Sequence, residues 1–237
     1  MKRDERAAVI RRMKGLSGDG RSMVFPIRHY DLSVIGYLRT IDRSILDDSK
    51  LIEVMAKARA HHAANFLTQF DVTADNKRWW LENGVLNNDD KALFLVESDD
   101  HTVVGQDGFT ILSDDVFSLD GTMRWIRRGH KDLYVRSGVE RASICFFMLG
   151  CKLSTTEVFK DNIPNVKNSI RMGHDIAAEH RLFLSESDNT LRYEKVEDIE
   201  RSNTDRIILS FEMTRDDFLK KHPERTRFYI GGEENDS

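Results

Sequence analysis

The order of periodic segments along the 237-residue chain predicts a mixed α/β fold, one sheet carrying helices on both faces. Three observations lead there: two helical patterns precede a strand hairpin, a strand-helix-strand-helix run follows, and alternating apolar segments close the chain. With 40% hydrophobic residues the chain supplies a sizeable core, and its 32% charged residues argue against a membrane protein.

Each element has its local reason. Residues 1–23 hold a short basic amphipathic stretch and then Gly15-Leu16-Ser17-Gly18-Asp19-Gly20, a hinge composition without the glycine pattern or preceding strand of a dinucleotide loop. Little of this segment is expected in the core, so removing residues 1–20 should leave folding cooperative. Over 48–66, Leu51, Val54, Met55 and Ala58 recur at helical spacing. Thr73 can cap a second helix in which Asp75 occupies the first turn and Trp79, Trp80 and Leu81 form the buried face. Segments 93–97 and 102–109 read as a hairpin around Asp99-Asp100-His101. An aspartate-rich loop leads to a strand over 122–128, and Val135, Val139, Ala142, Phe146 and Leu149 mark a helix over 132–149 that Gly150 closes. A β-rich run over 153–159 precedes a helix that starts at Asn162, with Pro164 in its first turn, and stops at Gly173. Strands over 181–184, 191–196 and 206–213 complete the pattern.

Charge narrows the functional classes. The net charge is -4, and residues 1–36 carry eight Lys/Arg against four Asp/Glu while the remainder is acidic. General nucleic-acid binding is therefore not expected, because phosphate contacts need a net basic face. No apolar run reaches the roughly 20 residues of a spanning helix. The amino terminus lacks a signal-peptide core, since Ala7 to Ile10 is followed by Arg11 and Arg12; a cytoplasmic protein is expected. Cys145 and Cys151 read as reduced, inert thiols. No nucleophile elbow, Walker loop, zinc-protease helix or kinase signature occurs, and no ligand set has metal-site spacing, so no metal is expected.

The segment 123–173 carries the chemistry. Ile126-Arg127-Arg128-Gly129-His130-Lys131 is a cationic, glycine-containing turn that opens the long helix, where backbone N–H groups and the helix dipole favour a phosphate. A solvated basic turn is the plain alternative. Thr156-Glu157-Val158-Phe159-Lys160-Asp161-Asn162, with Gly173 eleven residues after Asn162, resembles the strand and helix of the GNAT acetyltransferase superfamily. The order and spacing of elements over 37–218 are similar to the branch containing ribosomal-protein and amino-sugar N-acetyltransferases, and Leu38-Arg39-Thr40-Ile41 looks like that branch's first strand. The superfamily's phosphate loop has more glycine than Arg127 to Asp132 does, and its usual phenylalanine after Gly173 is His174 here.

The resemblance implies a GNAT-like, mostly antiparallel sheet in an acetyltransferase domain over 37–218, flanked by a basic extension over 1–36 and a polar tail over 219–237. It implies acetyl-CoA as cosubstrate, bound by residues Ile126, Arg127, Arg128, Gly129, His130 and Lys131, with Asn162 beside the pantetheine arm. It implies Glu157 as the general base, with Glu97 and Asp107 in reserve, and Ser169 where several relatives hold a tyrosine acid. The acceptor would be a small amine, a nucleotide-linked amino sugar first, or else a protein amino terminus; a homodimer is compatible with it. A non-catalytic module that binds acyl-CoA is the alternative from another class. Arg59, His61 and His62 would border the acceptor mouth.

Overall fold

The structure, a computed structural model, describes residues 1–225. Part of the expected 219–237 tail lies outside the described residues. The helices are α1 (Arg3–Met13), α2 (Ser49–His61), α3 (Ala74–Trp80), α4 (Leu133–Ser143), α5 (Ile163–Met172) and α6 (Arg215–Lys221). The strands are β1 (Val24–Arg28), β2 (Val34–Thr40), β3 (Thr68–Gln69), β4 (Lys91–Ser98), β5 (Val103–Ile111), β6 (Val116–Arg124), β7 (Leu153–Phe159), β8 (Asp175–Ser187), β9 (Thr190–Val196) and β10 (Ile207–Thr214). They form one sheet in the order β1-β2-β4-β5-β6-β7-β10-β8-β9-β3, in which only β6 and β7 run parallel. The predicted mixed, mostly antiparallel sheet with helices on both faces is the one observed.

β4 shows how the two faces are built. Phe94 and Val96 enter the main core with Ile10 of α1 and Val135 and Val139 of α4, whereas Leu93 and Leu95 pack with Ile52 and Met55 of α2 and with Leu81 and Val85. Successive residues on a strand point to opposite faces, so a strand buried on both sides reads as a continuous apolar run. Wide π-helical turns prolong α3 over Leu81–Leu86 and α4 over Ile144–Met148. Thr73 caps α3 by accepting the Asn76 amide at 3.1 Å, and Gly173 ends α5 in a left-handed conformation.

Several expectations are corrected. The amino-terminal segment belongs to the core: Ile10 and Met13 are fully buried, Arg6 donates to the Leu149 carbonyl at 3.0 Å, and Lys14 Nζ donates to the carbonyls of Val85 and Asn88, both at 2.6 Å. The buried stripe of Arg6, Ile10 and Met13 is short and itself contains an arginine, which is why composition hid it. The glycine-rich segment is a returning turn that places Met23 N on Met13 O at 2.8 Å, leading straight into β1. α2 buries Ile52, Met55 and Ala56 and leaves Val54 43% exposed, so its inner face is rotated from the expected one. Trp79 is 66% exposed, whereas Trp80 and Leu81 pack inward as expected. β6 begins six residues before the predicted strand, where Phe117 and Leu119 alternate inward, and ends at Arg124.

Candidate active site

β6 and β7 pair only from Val116 to Ser118 against Leu153 to Thr155. Thr156 Oγ1 adds one bond to the Leu119 carbonyl at 3.0 Å. Beyond that point β6 stays with β5 as far as Arg124, and β7 stays with β10 as far as Phe159, so the sheet forks. Both arms then present unpaired backbone groups inside the fork, a template for an extended, amide-bearing ligand. The β5 register shifts between Gln106 and Gly108, where β6 carries an extra residue beside Gly121, whose φ is +70°. A bulge of this kind leaves an amide outside the ladder and bends the strand.

The turn between β6 and α4 stands at the open end of the fork. Residues 126–129 and Lys131 are exposed, and Gly129 takes a φ of +84°. Arg124 holds the turn by donating to the carbonyls of Ile126 (3.1 Å) and Arg128 (3.3 Å), while Arg128 is paired with Asp100. Arg127 makes no ion pair among the described residues. Asp132 occupies the N-cap of α4 without a side-chain cap bond, and Arg171 of α5 neutralises its carboxylate. Asn162 sits at the N-cap of α5, where its side chain also makes no cap bond, so its amide is not used by the helix. At the start of α4 the Asp132 and Leu133 amides are taken by His130 Nδ1 (3.2 Å) and the His130 carbonyl (3.0 Å), so the fork, the arginines of the exposed turn and the unused Asn162 amide are what suit a diphosphate joined to a peptide-like arm.

Glu157 projects from β7 on the face occupied by α2. It lines a cavity of about 330 Å³ with Arg59, Asn65, Phe66, Leu67, Thr68, Phe159 and Ile208. Its Oε1 is paired with Lys195 of β9, and Ser210 Oγ lies 3.5 Å away, itself 3.0 Å from His180 Nε2. β10 and β8 stand between β7 and β9 in the sheet, so a contact from Lys195 to Glu157 requires this end of the sheet to curl over its own face. Arg206 braces the curl, stacking on Phe159 at 3.6 Å, pairing with Asp161 and donating to the Ala64 carbonyl at 2.8 Å. The end of α2 spans both arms: His62 Nε2 is 3.3 Å from the Arg124 carbonyl on β6, and Arg59 lies in the cavity beside β7. Arg59 stacks on Phe66 at 3.5 Å and donates to the Thr68 carbonyl at 2.7 Å; burial lowers its pKa to about 10, and its buried Nη1 has no partner among the described residues.

The two reserve carboxylates are structural. Glu97 is buried between Arg39 (2.6 Å) and His101 (3.3 Å). Asp107 is fully buried against Arg141 at 3.0 Å and Ser137, and burial pushes its carboxyl pKa up. Ser169 is buried in α5. Cys145 and Cys151 are buried free thiols, and burial raises Cys151 to about 11. Sequence reading missed Lys195, Ser210 and His180, because contacts across a curled sheet leave no mark in local spacing. It also missed a cluster of His29, His130 and Asp132, which are distant in sequence and meet only in the fold.

No family profile and no curated protein matches the chain in sequence. Solved structures do match. FdhC, a nucleotide-linked sugar GNAT, is 16% identical and superposes with a TM-score of 0.57 over 86% of this chain and 98% of its own. Spermidine N-acetyltransferase from Vibrio cholerae, determined with CoA and spermine, is 13% identical with a TM-score of 0.55, covering 77% and 96%. RimL, a ribosomal α-N-protein acetyltransferase determined with coenzyme A, is 10% identical with a TM-score of 0.58, covering 82% and 99%. The fold is therefore that of the GNAT N-acetyltransferases, with structures of that fold acting on sugars, amines and a protein amino terminus among its neighbours. Among the described residues no helix is long and apolar enough to cross a membrane.

Proposed function

We propose that the chain is an acetyl-CoA-dependent N-acetyltransferase acting on a small amine that also carries an anionic group, a nucleotide-linked amino sugar being the acceptor in view. The observation that carries this reading is the cavity beside β7, which joins a carboxylate, Glu157, to a half-buried guanidinium, Arg59, whose Nη1 has no partner among the described residues. A polyamine would meet the cation of Arg59 without compensation, whereas a phosphate or carboxylate would supply its missing acceptor. Phe66 and Phe159 offer apolar walls for a ring.

Acetyl-CoA would supply an activated thioester. Arg127, Arg128 and the amides of residues 127–131 would hold its diphosphate, the Ile126 amide being bonded to the Val104 carbonyl at 3.2 Å, and Asn162 would hold its pantetheine arm. Transfer needs a neutral amine, so Glu157 would take the ammonium proton directly or through water. Both contacts of Glu157 use Oε1, which leaves Oε2 toward an acceptor. The amide released at the β6 bulge is the donor available to an acyl oxygen. No phenol stands at Ser169, and a thiolate of pKa near 8.5 can depart without one. Two buried reduced cysteines suit the cytoplasm. The pairing of Glu157 with Lys195 favours, as a second reading, a module that binds acyl-CoA without turnover.

Free-thiol release from acetyl-CoA decides between them. Turnover with a nucleotide-linked amino sugar exceeding that with spermidine or a peptide amino terminus is expected. Saturable binding without release for any amine would replace the enzyme by the binding module.

A further inference from the structure

We propose that His29, His130 and Asp132 form a binding site for a divalent transition-metal ion of the zinc class, independent of the acceptor cavity. One ligand atom from each lies within 4.8 Å of the others. The three come from two rigid places. His29 follows β1 in a tight turn, its amide donating to the Ser33 carbonyl at 2.9 Å and its carbonyl accepting from Leu32 at 3.1 Å. His130 and Asp132 form the turn that starts α4, where the His130 carbonyl accepts the Leu133 amide at 3.0 Å.

The surroundings bear on each lone pair: His130 Nδ1 accepts the Asp132 amide at 3.2 Å, so an ion held by that nitrogen would take the place of this long bond. His29 Nδ1 lies 3.5 Å from the Asp31 carboxylate and His29 Nε2 lies 3.5 Å from Asp132 Oδ2. Asp31 Oδ1 already accepts from the Ser33 amide (3.0 Å) and hydroxyl (2.6 Å), so it acts on His29 as a nearby negative charge, and a proton on Nδ1 would leave the Nε2 lone pair toward Asp132. Arg171 takes Asp132 Oδ1, which fixes the carboxylate and leaves Oδ2 toward His29. The His130 ring packs edge-on to His29 at 4.9 Å. Two imidazoles and one carboxylate select zinc, cobalt or nickel over magnesium or calcium, which prefer all-oxygen shells. Three protein ligands leave one position open, and a bound ion would tie the β1-β2 turn to the amino terminus of α4.

The test uses the full chain without a histidine tag, stripped with chelator. Titration with cobalt(II) alone should give visible bands of four-coordinate intensity that saturate at one equivalent and are displaced by zinc(II). His29→Ala and His130→Ala should weaken binding at least tenfold. Asp31→Asn, an exposed change that leaves the fold intact, should weaken it by about tenfold through the outer shell. His61→Ala serves as the control and should bind like the parent. Absence of saturable binding at millimolar cobalt, or equal affinity in all four variants, would overturn the site.

Discussion

Glu157 shows what one residue's neighbours decide. The strand register places it on the cavity face, but Lys195 and Ser210 determine which oxygen is available. Replacing it by glutamine keeps the shape and removes the base, so Glu157→Gln should lower turnover by roughly 10² with acetyl-CoA affinity unchanged. Steady-state kinetics beside calorimetry checks the split. Arg59→Met should instead raise KM for an anionic acceptor tenfold or more, through the lost charge-assisted bond of about 1.5 to 3 kcal/mol. His174 makes a prediction about pH. It is buried beside Ser154 at 2.9 Å, and burial lowers its imidazole pKa to about 4. A folded value below the unfolded 6.5 means that the native state binds fewer protons there. Its contribution is complete above pH 6.5 and is lost as pH falls toward 4, a swing on the order of 3 kcal/mol. Denaturation midpoints at pH 7 and pH 4.5 should differ accordingly, and His174→Gln should flatten that part of the slope.

Among elements, legibility followed the strength of the local signal. β7, α5 and α3 were readable because alternation, Asn162 with Pro164, and Thr73 leave explicit marks at their ends. The start of β6 was obscured by Ser118, Asp120 and Gly121, polar or flexible positions of which the first two pair in the ladder and the last lies at the bulge. The docking of α1 was missed because its buried stripe is narrow and includes Arg6, while Asp4, Glu5, Arg11 and Arg12 give the rest of the helix a solvated look. Its packing yields a prediction: Ile10→Ala should cost about 3 kcal/mol, as large-to-small changes at fully buried sites do, and removal of residues 1–14 should abolish cooperative unfolding. A Tm unchanged by that truncation would show α1 to be dispensable. α4 and α5 approach closely at Gly138, where an added Cβ would fall 2.0 Å from Met172 Sδ. Gly138→Val should therefore push α5 away and destabilise the fold by about 1 to 3 kcal/mol, read from chemical denaturation.

At the scale of the molecule, the sheet with helices on both faces and the resemblance over 37–218 were visible in the order of elements, and the superposed structures share that fold. The cavity was not visible, because it arises where the β8-β9 end of the sheet curls back on β7 and where α2 bridges the two arms of the fork. Residues 59, 157, 195 and 206 meet there through long-range register alone. If the fork between β6 and β7 receives acetyl-CoA, backbone amides along its two arms must exchange more slowly when the cosubstrate binds, which hydrogen-deuterium exchange with and without acetyl-CoA measures. Slower exchange is expected over 119–132 and 156–166, with the β8-β9 hairpin and α6 unchanged; protection confined to other segments, or none at saturating acetyl-CoA, would place the cosubstrate elsewhere.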